Sequence, residues 1–159
     1  MTSTSTAWGE DELRRIAEDA LRAVGTTGRQ AEAMIIARTG SLTRFAKAAI
    51  HQNVSSREAE LRLRVARGTR VAMVTTDRLD LEGIRRAAAT ANDLVTRAPE
   101  DPRFGGLPAP RPIAAAPSSY SPQTAEAAPL ARARAAKVIC DAARARGLGA
   151  AGFVATNTQ

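Results

Sequence analysis

The chain has 159 residues and a net charge of +7, with 23 basic residues against 16 acidic ones. It contains one histidine and one cysteine, which excludes an internal disulfide, any cysteine-based zinc site and every metal motif that needs two histidines. No apolar run reaches the ~18 residues of a membrane span or follows the pattern of a signal peptide, so we expect a soluble, cytoplasmic protein with no membrane partner.

The basic charge raises nucleic acid as a possible partner. However, 21 of the basic residues are arginine and 35 residues are alanine, which indicates the codon bias of a GC-rich genome rather than selection for phosphate binding. Three Phe, one Trp and one Tyr offer few surfaces on which bases could stack. We therefore keep a basic nucleic-acid-binding module only as the alternative function.

Residues 1–9 form a polar leader that we expect to be mobile. From Glu10 onward, apolar residues recur at steps of three and four, which predicts an amphipathic helix that ends at Gly25.

The period then changes to two, which is typical of strands. Residues 33–37 are apolar on both faces and predict a central strand, and Gly40-Ser41 predicts a turn. In residues 58–65, apolar and charged side chains alternate, which predicts a strand with one buried and one solvated face. Further strands are predicted at residues 42–46, 50–54 and 71–75, with 67–69 as the loop of a hairpin.

Asp80 is a suitable N-cap for a second amphipathic helix, and Leu79 and Ile84 fit a hydrophobic staple around it. Residues 10–98 therefore predict an α+β domain, in which helices flank an antiparallel sheet of four to five strands.

All eight prolines lie between Pro99 and Pro129, so residues 99–120 predict a Pro-rich linker or arm. Residues 121–159 predict a helix followed by a strand. The helix could begin at Ser121 or near Pro129, and Gly147 suits its C-terminal cap. The terminal strand has no visible partner, so we expect this segment to be the start of a continuing domain.

Individual residues give little evidence of catalysis. His51 could be catalytic only with a nucleophile and an acid in fixed geometry, and a hydrogen-bonded histidine in a sheet is the simpler interpretation. Cys140 is interpreted as a small buried apolar residue. Four arginines could form a basic stripe along the second hairpin, but nearby glutamates favour a solvated face of ion pairs. These arginines are Arg62, Arg64, Arg67 and Arg70.

Residues 41–54, SLTRFAKAAIHQNV, resemble the N-terminal signature of the TldD/PmbA family, whose members are also called modulators of DNA gyrase. In that family the signature precedes an alternating strand, a glycine turn, a Thr-Thr-x-x-Leu link and a helix. The resemblance runs from about Glu10 to the end of the chain. It continues through residues 61–65, 68–71, 75–80, 98–108 and 150–154.

The resemblance implies a zinc-dependent peptidase that works as a two-subunit assembly, often with one metal-free partner. It implies small, unfolded or modified peptides as substrates, including precursors of peptide antibiotics and an antitoxin. The family's metal ligands lie in an HExxxH helix and a later cysteine, beyond its N-terminal third. We therefore expect no cofactor in this chain, with zinc in the full-length family enzyme. We expect the chain to be a fragment, the product of a truncated gene or a split subunit, and to be inactive alone.

The same resemblance suggests that this domain helps to hold peptide, and that its partner is a family subunit or a second copy of itself. An antiparallel sheet with an exposed edge could take an extended peptide by strand addition. The polar members of the signature, Arg44, His51, Gln52 and Asn53, are the candidate peptide-binding residues. Alternatively, these four side chains only satisfy turns between strands.

Overall fold

The computed structural model describes residues 8–25, 27–112 and 119–159. The expectations for most of the leader and for residues 113–118 of the Pro-rich arm lie outside the described residues. The elements, in chain order, are α1 (Glu10–Val24), β1 (Gln30–Ala46), β2 (Ala49–Arg67), β3 (Arg70–Thr76), α2 (Leu81–Arg97), α3 (Pro122–Ala125), α4 (Pro129–Arg144) and β4 (Gly152–Thr158).

The described strands form one sheet in the order β3-β2-β1-β4. Strands β2 and β3 pair antiparallel, as the second hairpin predicts, and β1 pairs antiparallel with β4. The prediction of an α+β fold with an antiparallel sheet of four to five strands flanked by helices is therefore confirmed, and the described sheet has four strands. The segment from Ala33 to Ala37 lies in β1, an interior strand, as its two apolar faces predict.

The predicted turn at Gly40-Ser41 is wrong, because β1 continues through it as a single strand. Gly40 is paired with Asn157 of β4. A Cβ at Gly40 would lie 3.0 Å from the Asn157 Oδ1 atom, so glycine serves here for close approach within a strand.

The first hairpin turns at Lys47 and Ala48, which both adopt positive φ angles, 50° and 55°. Such angles usually select glycine or asparagine, so the sequence carries no sign of this turn. After the turn, β2 runs without interruption through the predicted segments 50–54 and 58–65.

The chain divides into two compact units. Unit 1 comprises the described residues of Met1–Ala37 and Glu58–Ala115. Its core is formed by the apolar face of β2, the inner faces of α1 and α2, and partly buried residues that include Leu79. The buried members are Ile16, Ala20, Val24, Leu61, Leu63, Val65, Ile84, Ala88, Ala91 and Val95.

Unit 2 comprises Arg38–Arg57 and the described residues of Ala116–Gln159. Of the two predicted starts of the last helix, the one near Pro129 is confirmed, because α4 begins at Pro129, a residue that is favourable in the first turn of a helix. The stretch after Ser121 forms only the short helix α3, which ends at Ala125. The terminal strand, which has no visible partner in the sequence, pairs with β1. The core of this unit contains Phe45, Ala48, Ala136 and Cys140.

Candidate functional site

The four candidate peptide-binding residues all lie on the first hairpin, in unit 2. Arg44 is on β1, and His51, Gln52 and Asn53 are on β2. All four are exposed. None of them lies in the turn itself, which is formed by Lys47 and Ala48.

The structure separates these residues between the two faces of the sheet. Arg44 Nη1 donates to Gln52 Oε1 at 3.4 Å, while Thr43 Oγ1 donates to Asn53 Oδ1 at 2.8 Å. Because successive side chains of a strand point to opposite faces, Arg44 and Gln52 share one face and Asn53 lies on the other. The same alternation places His51 on the face of Asn53.

The face that carries Asn53 packs against helices within unit 2. Thr43 on this face is completely buried. Arg132 of α4 is also buried, and its Nη1 atom donates to Ala127 O at 2.8 Å and to Thr156 Oγ1 of β4 at 3.1 Å. Asn53 therefore lies on the same face of the sheet as the hydrogen bond that links α4 to β4.

The opposite face carries exposed apolar side chains beside Arg44 and Gln52. Phe153 of β4 is the registered neighbour of Arg44, and it is 64% exposed. Val54 lies two residues beyond Gln52 on the same face and is 41% exposed. We call these four residues, Arg44, Gln52, Val54 and Phe153, the open face.

The open face adjoins one end of the sheet. Within the described part of the chain, β4 is an end strand that pairs with β1 on one side. The other side of such a strand presents backbone N–H and C=O groups that can accept a further strand. Phe153 was not among the residues that the sequence suggested. The alternation of side chains in a strand as short as β4 does not show which face of the sheet packs against helices.

Three of the four arginines of the second hairpin form ion pairs within the described residues, and one of these pairs uses a nearby glutamate, as predicted. Arg62 Nη2 lies 2.5 Å from Glu60 Oε1, and Arg64 Nη2 lies 2.8 Å from Glu32 Oε2. Arg70 completes the pattern by bonding Glu100 and two carbonyl groups at the end of α2.

The donor set does not fit a zinc ion. Zinc sites in enzymes use three protein ligands, and no group of three or more His, Cys, Asp or Glu side chains in the described residues could hold a metal. Cys140 is buried in the core of unit 2, which confirms its interpretation as a small apolar residue. No helix in the described ranges is long and apolar enough to cross a membrane.

Residues 31–94 match the model of a protein family described as PmbA/TldA metallopeptidase domain 1. This segment contains the first hairpin, the second hairpin and most of α2. No curated protein matches the chain.

Three solved structures share the fold at low sequence identity. TldE from Thermococcus kodakarensis is 16% identical with a TM-score of 0.71, over 92% of this chain and 33% of TldE. A Bacteroides thetaiotaomicron protein named as a modulator of DNA gyrase is 18% identical with a TM-score of 0.68, over 92% of this chain and 39% of that protein. A protein from Thermotoga maritima with the same description is 14% identical with a TM-score of 0.57, over 94% and 35%. The chain thus spans about a third of the length of these proteins.

Proposed function

We propose that this chain, whose residues 31–94 match the first domain of the TldD/PmbA family, is a peptide-holding domain of a metallopeptidase assembly. The proposed ligand is a small or unfolded peptide in extended conformation. The peptide pairs with the free side of β4, and its side chains contact the open face.

The observation that carries this proposal is the placement of the open face beside an end strand. Backbone pairing with β4 supplies affinity that does not depend on peptide sequence, which suits unfolded substrates. Phe153 offers apolar contact area. The Arg44 guanidinium offers a hydrogen-bond donor to carbonyl or carboxylate groups of the peptide.

We propose that the chemistry of peptide cleavage resides in another part of the assembly. No group of three or more His, Cys, Asp or Glu side chains in the described part of the chain could hold a catalytic zinc ion. The zinc of the family enzyme is therefore assigned to residues outside this sequence. The partner is a family subunit or a second copy of this chain, and the proposed compartment is the cytoplasm.

Fluorescence anisotropy of a labelled, unstructured peptide titrated with the chain tests the proposal. We expect saturable binding that is weakened roughly three- to tenfold by Phe153→Ala and by Arg44→Ala. Met73→Ala is the matched control for Phe153, because Met73 is 62% exposed on β3. Arg85→Ala on the exposed side of α2 removes the same charge as Arg44→Ala, and both controls should bind like the parent chain.

Two outcomes would contradict the proposal. The first is no saturable peptide binding. The second is an equal loss for Arg44→Ala and Arg85→Ala with a steep fall of affinity in salt, which would favour the nucleic-acid alternative because phosphate contacts are strongly salt-dependent.

A further inference from the structure

Unit 2 contains a second feature, a cavity of about 370 Å³ between the tip of the first hairpin and α4. This volume falls in the range of ~300–1,000 Å³ that is usual for small-molecule sites. The apolar part of its lining comes from both elements. These residues are Ala48, Ala49, Ile50, Leu130, Ala133 and Cys140.

Three basic side chains of α4 complete the lining: Arg134, Lys137 and Arg144. Lys137 Nζ lies 2.5 Å from Asp141 Oδ2, and Arg144 Nη2 lies 2.8 Å from Asp141 Oδ1. One carboxylate thus serves two of the cations. Arg134 forms no ion pair with any residue in the described ranges.

An apolar cavity that opens among cations is complementary to an anion with an apolar body. When an alkyl group covers the apolar lining, removal of both apolar surfaces from water stabilises the complex. An inorganic anion has no apolar surface and does not gain this stabilisation. The excess of positive charge favours a carboxylate over an amine or an alcohol of the same length.

We propose that this cavity binds a carboxylate joined to an apolar chain or side chain. The apolar part lies against Leu130 and Ala133, and the carboxylate lies beside Arg134. Two sources carry this chemistry, a medium-chain fatty acid and the C-terminal leucine or similar residue of a peptide. The site is separate from the open face, so the proposal does not rest on peptide pairing with β4.

Calorimetric titration of the 159-residue chain with decanoate, kept below its micelle concentration, and with N-acetyl-alanyl-leucine distinguishes the two sources. We expect saturable binding of at least one of them, and no saturable binding of decylamine. Binding of decanoate alone identifies the fatty acid as the source, and binding of the dipeptide alone identifies the peptide terminus.

Two variants test the location of the site. Arg134→Ala should weaken binding roughly two- to fivefold, because an exposed charge contributes modestly. Ala133→Phe fills the cavity and should weaken binding by roughly tenfold or more. Ala135→Phe introduces the same ring at an exposed position of α4 outside the lining, and it should bind like the parent chain.

Cys140 supplies an independent readout, because it is the one thiol of the chain and lines the cavity. Bound carboxylate should slow its reaction with a small neutral alkylating reagent. Arg44→Ala should leave this protection unchanged even if it weakens binding of a long peptide, which separates the two proposals. The proposal is overturned if neither carboxylate binds saturably, if decylamine binds as well as decanoate, or if Ala133→Phe and Ala135→Phe behave alike.

Discussion

At the start of α2, the Asp80 side chain accepts a hydrogen bond of 2.8 Å from the backbone N–H of Gly83. This bond, assisted by the nearby Arg78 guanidinium, lowers the pKa of Asp80 below its ordinary value of 3.8. A group with a lowered pKa in the folded state stabilises the fold above its unfolded pKa, and this contribution disappears as the pH falls through the folded pKa.

Replacing Asp80 should therefore change stability in a pH-dependent way. Asp80→Asn retains a capping side chain that does not ionise. The variant should be less stable than the parent chain at neutral pH, and this difference in stability should shrink as the pH falls below 3.8. Asp80→Ala loses the cap and should lower the Tm at neutral pH by roughly 2–6 °C. Thermal unfolding followed by circular dichroism between about pH 2 and 7 measures both effects. If the difference in stability between Asp80→Asn and the parent chain stays constant over this range, the carboxylate of Asp80 does not stabilise the fold in the way described.

Gly83 is a second position where one residue controls this helix start. A Cβ at Gly83 would lie 2.4 Å from the carbonyl oxygen of Arg78 and 2.5 Å from its Cβ. Gly83→Ala should therefore destabilise the protein by roughly 1–3 kcal/mol, although alanine is the better helix former. Gly105→Ala, where a Cβ meets no atom within 4 Å, is the matched control and should change stability by less than ~0.5 kcal/mol. Chemical unfolding that finds Gly83→Ala neutral or stabilising would show that the helix start is arranged differently.

At the scale of elements, the first hairpin depends on a turn in which Lys47 and Ala48 have positive φ angles. This conformation costs a residue with a Cβ about 1–2 kcal/mol, and more if the side chain is β-branched. Lys47→Gly should therefore raise the free energy of unfolding by about 0.5–1 kcal/mol, and Lys47→Val should lower it. Urea unfolding measures both, and a shift of both variants in the same direction would contradict the turn geometry.

Sequence patterns predicted the elements that are determined by residues close together in the chain. The alternation in residues 58–65 reports which side chains of β2 are buried, because Leu61, Leu63 and Val65 form the core of unit 1. The position of α2 followed from Asp80, whose cap needs only four consecutive residues. The prediction of a turn at Gly40 was wrong because the sequence does not distinguish a glycine that permits close approach between strands from a glycine that permits a turn.

The partner of β4 and the composition of the open face could not be predicted in this way. Pairing between Arg44 and Phe153 joins residues more than 100 positions apart, and nothing local specifies its register. A shift of one residue in register exchanges the faces of a strand. The signature therefore pointed to the first hairpin, but it did not indicate that Gln52 joins Arg44 while Asn53 lies on the opposite face.

At the scale of the whole molecule, the Pro-rich arm is tethered at its beginning. Asp101 N donates to Thr69 O at 3.0 Å, and Leu107 N donates to Gln30 Oε1 at 2.9 Å. Because cleavage needs a segment that can leave its partners, we predict that limited proteolysis first cuts the arm beyond Leu107, before α3 begins. Mass spectrometry of the first fragments locates the cut. Initial cleavage within residues 58–76 would contradict the assignment of the second hairpin to a stable core.

The central proposal is that the chain holds extended peptide at β4. Hydrogen–deuterium exchange with and without a saturating unstructured peptide tests this assignment most directly, because strand addition protects the backbone N–H groups on the free side of an end strand. Strand β3 lies at the other end of the described sheet and is the internal control. We predict slower exchange in Gly152–Thr158 on peptide addition and unchanged exchange in Arg70–Thr76. Unchanged exchange in Gly152–Thr158, or equal slowing in both strands, would contradict the assignment.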